Sequence, residues 1–390
     1  MTAGHFSVAI ATSAADVPDL LWQALPTGVE GRWWYESLER CGIDDQFRFF
    51  YAVVARDGEP IGLAPLFVMD VPLDLVLPPA LLPLFRAAGR VFSNLRQQRT
   101  LFIGSPCADE GTVVTRPGAD RRAVLAALDD ALRPLARDQR AVMTVWKDFP
   151  DADRSDLNWL AKRSGYFAMA SFPGTEAALP ASGRKEDYFA AMKASRRHQF
   201  RKKLKRSAAA ARIRVQVAQQ PSPAVMDEVF TLFWQTYEKA TTKFERLNRR
   251  FFDLLARRPE SHFVLLRDAE DGALVAFMLC FALGRRMVNK FIGIDYARPK
   301  DWLLYFRLWE AALDWSLDQG FSVIQSGQTG YAPKIEMGHV LVPLTNYCRH
   351  RNRLVHWVYG RIARTITWQT LDPDLERYLA AHPEDKPPAE

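Results

Sequence analysis

Eight polar side chains that can bind substrate or move a proton are concentrated between residues 290 and 347. They are Lys290, Asp295, Tyr305, Gln328, Tyr331, Lys334, His339 and Tyr347. Such a set can position a substrate and supply one acid or base, as acyl transfer to an amine requires. Asp295 or His339 would act as the base. Tyr331 and Lys334, together with Lys290, would position the acceptor or stabilise an oxyanion, and the remaining members would contact substrate.

A second candidate is a strongly basic stretch. Between Tyr188 and Met226 the chain has ten Lys or Arg residues and no acidic residue. Arg196 falls on the apolar stripe of the helix that this stretch predicts, so its charge needs an anion or a carboxylate as partner. With Arg197 and Arg201 it would hold the anionic part of a donor or acceptor. A solvated basic face with Arg196 in a structural ion pair is the competing interpretation.

Familiar catalytic signatures are absent from the sequence. It has no G-x-S-x-G, H-E-x-x-H, Walker or G-x-G-x-x-G motif, and its seven histidines show no metal-ligand spacing. No metal is therefore expected. No helix-turn-helix or zinc pattern accompanies the basic run, so duplex DNA is not an expected partner.

The polar residues surround a predicted strand–helix–strand unit. Apolar runs predict strands at Met287–Ile294 and Phe321–Ile324, and Trp302–Leu317 predicts a helix that protein must cover on nearly all sides. The turn Asp295–Asp301 and the loop Gln325–Tyr331 both follow strand ends, so we expect them to meet at one rim of a sheet. The candidate site is predicted at this rim.

Strands and helices alternate over residues 1–172 and again over residues 185–370, which predicts two α/β domains. Residues 173–184 are rich in small residues, Pro and Gly, and are predicted to be a linker. The second domain would begin with a basic helix, Lys185–Ala211, and would carry the site. Residues 371–390 would form a polar tail.

The bulk composition indicates a globular chain. Hydrophobic residues make up 48%, with 24 Phe and 11 Trp, which excludes a mainly disordered protein. The N-terminus shows no signal peptide, and no apolar run approaches the roughly 20 residues of a spanning helix. The four cysteines form neither a metal motif nor a disulfide framework. A cytoplasmic location is expected.

An apolar segment with four prolines, Val71–Phe85, forms neither a regular helix nor a central strand. It is either a buried irregular excursion or an exposed flap for peripheral contact with a lipid-like substrate or a membrane.

Three stretches carry a resemblance to a known superfamily: residues 261–296, 304–321 and 330–350. The chain resembles the GNAT-like acyltransferases, in particular the branch assigned to cellulose and peptidoglycan biosynthesis and the related Fem-type aminoacyltransferases. Lys334, Gly338 and Pro343 match the K-x-x-x-G-x-x-x-x-P run of this branch, and Asp295 and Tyr305 match its turn into the long helix. The resemblance implies two tandem domains, each a mixed, mostly antiparallel sheet flanked by helices.

The resemblance also implies transfer of an acyl, acetyl or aminoacyl group to a small-molecule amine. The donor would be acyl-CoA, an acyl-carrier-protein thioester or aminoacyl-tRNA. The sequence departs from acetyl-CoA-binding members at residues 295–302, where DYARPKDW replaces a glycine-rich loop and removes a backbone N–H cradle for pyrophosphate. A non-catalytic module that binds an anionic glycan or lipid is the alternative from another functional class.

Overall fold

The computed structural model describes residues 5–72, 97–240 and 245–385. The chain divides into two compact units. The first unit comprises Met1–Pro26, Gly42–Phe172 and Pro343–Leu371, and the second comprises Thr27–Cys41, Pro173–Val342 and Asp372–Glu390.

Strands and helices alternate along the described residues. The strands are β1 (Phe6–Ala11), β2 (Arg48–Arg56), β3 (Glu59–Pro72), β4 (Gln97–Ile103), β5 (Val114–Thr115), β6 (Met143–Pro150), β7 (Phe167–Ala170), β8 (Gly174–Ala178), β9 (Ile213–Ala218), β10 (Ser261–Asp268), β11 (Leu274–Leu283), β12 (Arg286–Ile294), β13 (Val323–Gln325), β14 (Val340–Val342) and β15 (Leu344–His350). The α-helices are α1 (Asp19–Gln23), α2 (Arg32–Arg40), α3 (Arg121–Asp138), α4 (Arg154–Ser164), α5 (Lys185–Ala191), α6 (Ala194–Ala210), α7 (Pro223–Lys239), α8 (Arg249–Ala256), α9 (Leu304–Asp318), α10 (Tyr331–Glu336), α11 (Arg353–Ala363), α12 (Trp368–Leu371) and α13 (Pro373–Ala381).

The sheet of the first unit runs in the order β1-β2-β3-β4-β6-β15-β7, with β5 also paired to β3. Its strands pair antiparallel except for β4 and β6. Helix α3 begins at Asp120, whose carboxylate accepts the backbone N–H groups of Arg122 and Ala123. Its apolar stripe, which includes Leu128 and Leu132, is buried in one hydrophobic cluster with Trp146 of the sheet.

The sheet of the second unit runs in the order β14-β8-β13-β12-β11-β10-β9, and its one parallel pair in the described chain is β12 with β13. Alternate residues of β11 enter opposite layers. Met278 and Cys280 share a buried cluster with Trp309 of α9, whereas the Phe277 ring packs edge-on against Phe252 of α8 at 6.4 Å. Helices therefore cover both faces. Both sheets are mixed and mostly antiparallel, which confirms the predicted fold class.

The units differ from the predicted domain boundaries. The sequence predicts residues 343–370 as part of the second domain, but β15 pairs with β6 and β7, which places Pro343–Leu371 in the first unit. The predicted linker contains β8, which pairs with β13 and β14. The predicted tail contains α13. Local composition does not encode which distant strand a segment pairs with, so the sequence alone does not predict these boundaries.

Two predicted elements are adjusted locally. The basic helix is two helices, because the backbone is extended at Met192 and α6 begins after Lys193. The long apolar helix begins at Leu304, after a short 3-10 turn at Lys300–Trp302 and a left-handed residue, Leu303. Val71 and Pro72 end β3, and the remainder of the proline-containing segment lies outside the described residues.

Candidate active site in the second unit

The parallel strands β12 and β13 separate after a short contact. Their pairing joins Arg286 to Val323, Met287 to Ile324 and Val288 to Gln325. Beyond Val288, β12 continues to Ile294 and stays paired with β11, but no described strand lies along its other edge. A strand edge of this kind offers backbone N–H and C=O groups to an extended ligand.

A polar network lies at the point where the two strands part. The side-chain amide of Asn289 donates to the Ser326 hydroxyl over 2.7 Å. The same hydroxyl lies 2.7 Å from His339 Nε2, and His339 Nδ1 lies 3.0 Å from the Lys334 carbonyl oxygen. Because a carbonyl oxygen can only accept, Nδ1 carries the proton and Nε2 accepts from Ser326.

Burial makes this histidine a neutral group. His339 is 2% exposed and its ring lies against Trp309, with centroids 5.6 Å apart. Burial, reinforced by the positive charge of Lys334, lowers the pKa of His339 from 6.5 to about 3. The imidazole therefore keeps a free lone pair for the serine proton over the whole physiological pH range. Ser326 retains one lone pair of its own for an incoming N–H group.

Lys334 fixes the loop that carries Ser326. Its buried ammonium donates to the carbonyl oxygens of Ser326, of Gly327 at 3.3 Å and of Gln328 at 3.1 Å. The loop needs this support because Gly327, Thr329 and Gly330 all have positive φ, and Thr329 pays a steric cost there. Lys334 thus contacts the backbone of the loop as a positioning group.

Replacing Lys334 by methionine should raise the pKa of His339 and loosen this loop. The variant removes the nearby positive charge that disfavours the imidazolium and leaves loop carbonyls without their donor. NMR titration of the His339 ring reports the first effect and amide exchange of residues 326–330 the second. Lys203→Met is the matched control, since that ammonium pairs with Glu336 at 2.5 Å instead. An unchanged His339 pKa in Lys334→Met would contradict the electrostatic assignment.

Tyr331 begins α10, and its buried hydroxyl donates to the Pro173 carbonyl over 2.9 Å. Gln328 is half-buried and belongs to the same loop. Lys334 thus contacts both the Gln328 carbonyl and His339, whereas Tyr331 holds the start of α10 against Pro173. Tyr305 lies in the first turn of α9, where burial raises its pKa.

Asp295 closes a turn. One of its oxygens accepts from the Ala297 N–H at 2.9 Å, and the other pairs with Arg298 at 3.3 Å. Arg298 also pairs with Asp268 at 2.9 Å and Asp271 at 2.7 Å. The turn and the guanidinium occupy both carboxylate oxygens, so of the two candidate bases the geometry favours His339.

Lys290 and Tyr347 are engaged elsewhere. Lys290 has a side chain only 2% exposed that pairs with Glu30 at 2.5 Å and lies over the Trp34 ring. Tyr347 is part of β15 in the first unit, where its hydroxyl donates to Asn158 over 2.9 Å.

The inward-facing arginine meets an aromatic ring rather than a carboxylate. The Arg196 guanidinium lies 5.6 Å from the centroid of Tyr378 in α13 and 3.4 Å from its hydroxyl. Arg197 approaches the carbonyls of Phe189 and Ala190 at 3.4 Å, and Arg201 lies over the Phe189 ring at 4.9 Å. Among the described side chains, Arg196 therefore has a cation–π contact and a hydrogen bond with Tyr378, and neither contact removes its positive charge.

Sequence reasoning missed Asn289 and Ser326. Asn289 is a polar residue within an apolar strand, and Ser326 is the first residue after a buried strand. The sequence shows both features, but a polar residue within a strand indicates a site only when the residue that it contacts on the neighbouring segment is known. Within the described residues no group of three or more His, Cys, Asp or Glu side chains is placed to hold a metal ion.

A family model described as peptidoglycan biosynthesis/recognition, FemAB-like, matches residues 112–359. No curated protein matches the sequence. Three solved structures are similar in fold. FemX has 14% identity and a TM-score of 0.59, covering 88% of this chain and 97% of its own. L-PGS from Bacillus licheniformis has 13% identity and a TM-score of 0.53, and the match covers 86% of this chain and 93% of L-PGS. A tandem GNAT protein from the clavulanic acid biosynthesis pathway has 12% identity and a TM-score of 0.51, covering 89% and 99%.

Proposed function

Because the chain belongs to the FemAB-like family of peptidoglycan biosynthesis and recognition and has a GNAT-like fold, we propose that it transfers an acyl or aminoacyl group to an amine. The reaction would take place in the second unit, where β12 and β13 part. The observation that carries the proposal is the Asn289–Ser326–His339 network at the start of the open β12 edge.

The open edge of β12 supports a pantetheine thioester as donor. A pantetheine arm is an extended chain with two amides, and such a chain can continue a sheet by hydrogen-bonding to a strand edge. Its thioester carbonyl would then lie near Ser326. Acyl-CoA and an acyl-carrier-protein thioester share this arm.

The network supplies a path for the amine proton. When the amine attacks the thioester carbonyl, its nitrogen becomes cationic and acidic enough for a weak base to take the proton. Ser326 accepts that proton on its open lone pair and passes its own to His339 Nε2. The C–N bond forms and the C–S bond breaks, so that the sulfur leaves as a thiolate. The His339 imidazolium then returns the proton through Ser326 to the thiolate, which departs as the thiol. Because burial disfavours a charged imidazole, we propose that His339 takes the proton only after the amine has attacked, when the amine nitrogen is cationic and most acidic.

An aminoacyl-tRNA is the second candidate donor, favoured by the exposed basic surface of α6. Arg201, Lys202, Lys205 and Arg206 are all exposed, and no acidic side chain interrupts the helix. A phosphate backbone would be attracted to such a surface, and the attraction would fall steeply with salt.

A transfer assay with four donors tests both versions. The purified protein would be incubated with acetyl-CoA, long-chain acyl-CoA, acyl-carrier protein or aminoacyl-tRNA and a panel of amines, and products would be identified by mass spectrometry. We expect turnover with a pantetheine thioester. The variant Lys202→Glu/Lys205→Glu should change thioester affinity less than about 3-fold, but should weaken tRNA binding at least about 10-fold.

If aminoacyl-tRNA were the only donor that gave product, and if the double variant lost this activity, the donor would be aminoacyl-tRNA rather than a thioester. Tight binding of a glycan or lipid with no turnover for any donor would refute transferase activity and favour the non-catalytic binding module.

A further inference from the structure

Helix α11 of the first unit presents large apolar side chains outward. Leu354 is 70% exposed, Trp357 58% and Val358 38%. Their spacing of three and four residues places them on one helix face. Amphipathic helices of globular proteins normally turn this face to the core. An exposed aromatic and two exposed aliphatic side chains in a single stripe therefore indicate a surface that is covered in use.

The opposite face of α11 already packs on the sheet. The His356 ring lies 5.1 Å from the Phe167 ring of β7, and a Cβ on Gly360 would sit 3.6 Å from the same ring. Ala363 is 4% exposed. The helix is thus fixed to the fold by its inner face, which leaves the outer stripe facing away from the sheet.

The border of the outer stripe has a single sign of charge. Arg351, Arg353, Arg361 and Arg364 are exposed, and the sequence contains no Asp or Glu from Met337 to Leu371. Arg361 falls within the stripe, and its guanidinium lies over the Trp357 ring at 5.0 Å. An arginine stem that follows an aromatic ring can place its charge above an apolar layer while the ring enters it.

We infer that α11 docks the protein on an anionic lipid bilayer. The helix would lie in the plane of the interface, with Leu354, Trp357 and Val358 entering the acyl boundary and the arginines meeting lipid phosphates. An anionic bilayer has an apolar layer with negative charge above it. The apolar layer matches the exposed apolar side chains of α11, and the negative charge matches the arginines around them. A nucleic acid would match the arginines but leave Leu354 and Val358 in water. Among the described residues, no helix is both long and apolar enough to cross a bilayer.

This inference is independent of the proposed transferase activity. It also assigns membrane contact to a different element from the proline-containing segment singled out in the sequence, most of which lies outside the described residues.

Vesicle sedimentation of the full chain tests the inference. Vesicles of phosphatidylcholine alone would be compared with vesicles containing about one third phosphatidylglycerol, at low and high salt. We expect binding to the anionic vesicles, weakened by salt, and little binding to phosphatidylcholine. Trp357→Ser and Arg353→Glu/Arg364→Glu should each lower the partition coefficient at least about 10-fold. Because these side chains are exposed, the variants should keep the wild-type circular dichroism spectrum.

Val215→Ser is the matched control. Val215 is 50% exposed on β9, so this variant also removes an exposed apolar side chain, but one that does not belong to α11. It should bind as the wild type does. Absence of binding to anionic vesicles, or binding that the α11 variants leave intact, would overturn the inference. Loss of binding in Lys202→Glu/Lys205→Glu but not in the α11 variants would assign membrane contact to α6. A concentration-dependent dimer that Trp357→Ser abolishes would assign the stripe to a second copy.

Discussion

Replacing His339 by glutamine should slow acyl transfer by about 10²- to 10⁴-fold, the usual contribution of a positioned acid or base. Glutamine keeps a polar side chain of similar reach, but its amide cannot take the proton that Ser326 passes on. Ser326→Ala should cause a comparable loss, and the double variant should be little worse than either single one, because the two groups act in one relay. Steady-state kinetics with the donor identified by the transfer assay would measure these effects.

Asp295→Asn provides the control. Asp295 is tied to Ala297 and Arg298, so this variant should retain activity within about 3-fold of wild type. Full activity in both His339→Gln and Ser326→Ala, or a large loss in Asp295→Asn, would show that the base lies elsewhere.

The same histidine should make stability depend on pH in a defined direction. Its pKa is about 3 in the folded protein and 6.5 without the fold. Between these values the unfolded chain binds a proton that the folded protein does not, so the contribution is complete above pH 6.5 and is lost as pH falls toward 3. Wild type should lose about 1.4 kcal/mol per pH unit relative to His339→Gln across that window. Urea unfolding of both proteins at pH 7 and at pH 5 would measure this difference. An equal change in the free energy of unfolding between the two pH values in both proteins would contradict the prediction.

Gly293→Ala should destabilise the second unit by about 3 kcal/mol, the upper part of the range for overpacking a core. A Cβ at this position would lie 2.6 Å from the Leu232 carbonyl carbon and 2.7 Å from the Phe233 nitrogen. Both atoms are backbone of α7, so the helix itself would have to move away from β12. Chemical denaturation would measure the loss of stability. Because α7 packs on β12, whose unpaired edge would bind the donor, donor affinity should fall as well.

Gly360→Ala is the control for this substitution. Gly360 lies inside a helix, and the nearest atoms to its added Cβ are 3.6 Å away in the Phe167 ring, which is ordinary contact. Alanine there should be neutral or stabilising by up to about 1 kcal/mol, because glycine weakens a helix interior. Similar destabilisation in both variants would indicate a general sensitivity to glycine replacement rather than a close approach of α7 to β12.

The sequence by itself determined the elements that carry the site. The apolar run at 287–294, the enclosed helix and the short run at 321–324 correspond to β12, α9 and β13, and β12 pairs parallel with β13 as a strand–helix–strand unit requires. Hydrophobic periodicity and strand ends are local properties, so a single sequence expresses them directly. The clustering of Tyr331, Lys334 and His339 follows from the same local order.

Only the tertiary structure decided which polar residues remain available to a substrate. From the sequence Lys290 and Asp295 are as well suited to chemistry as His339, yet Glu30 pairs with Lys290 and Arg298 pairs with Asp295. A side chain's partner depends on contacts between distant segments, which composition and spacing do not specify. The same reason explains why β15 joined the first sheet and why the apolar stripe of α11 faces outward. Which face of a helix is buried is fixed by the elements already packed beside it.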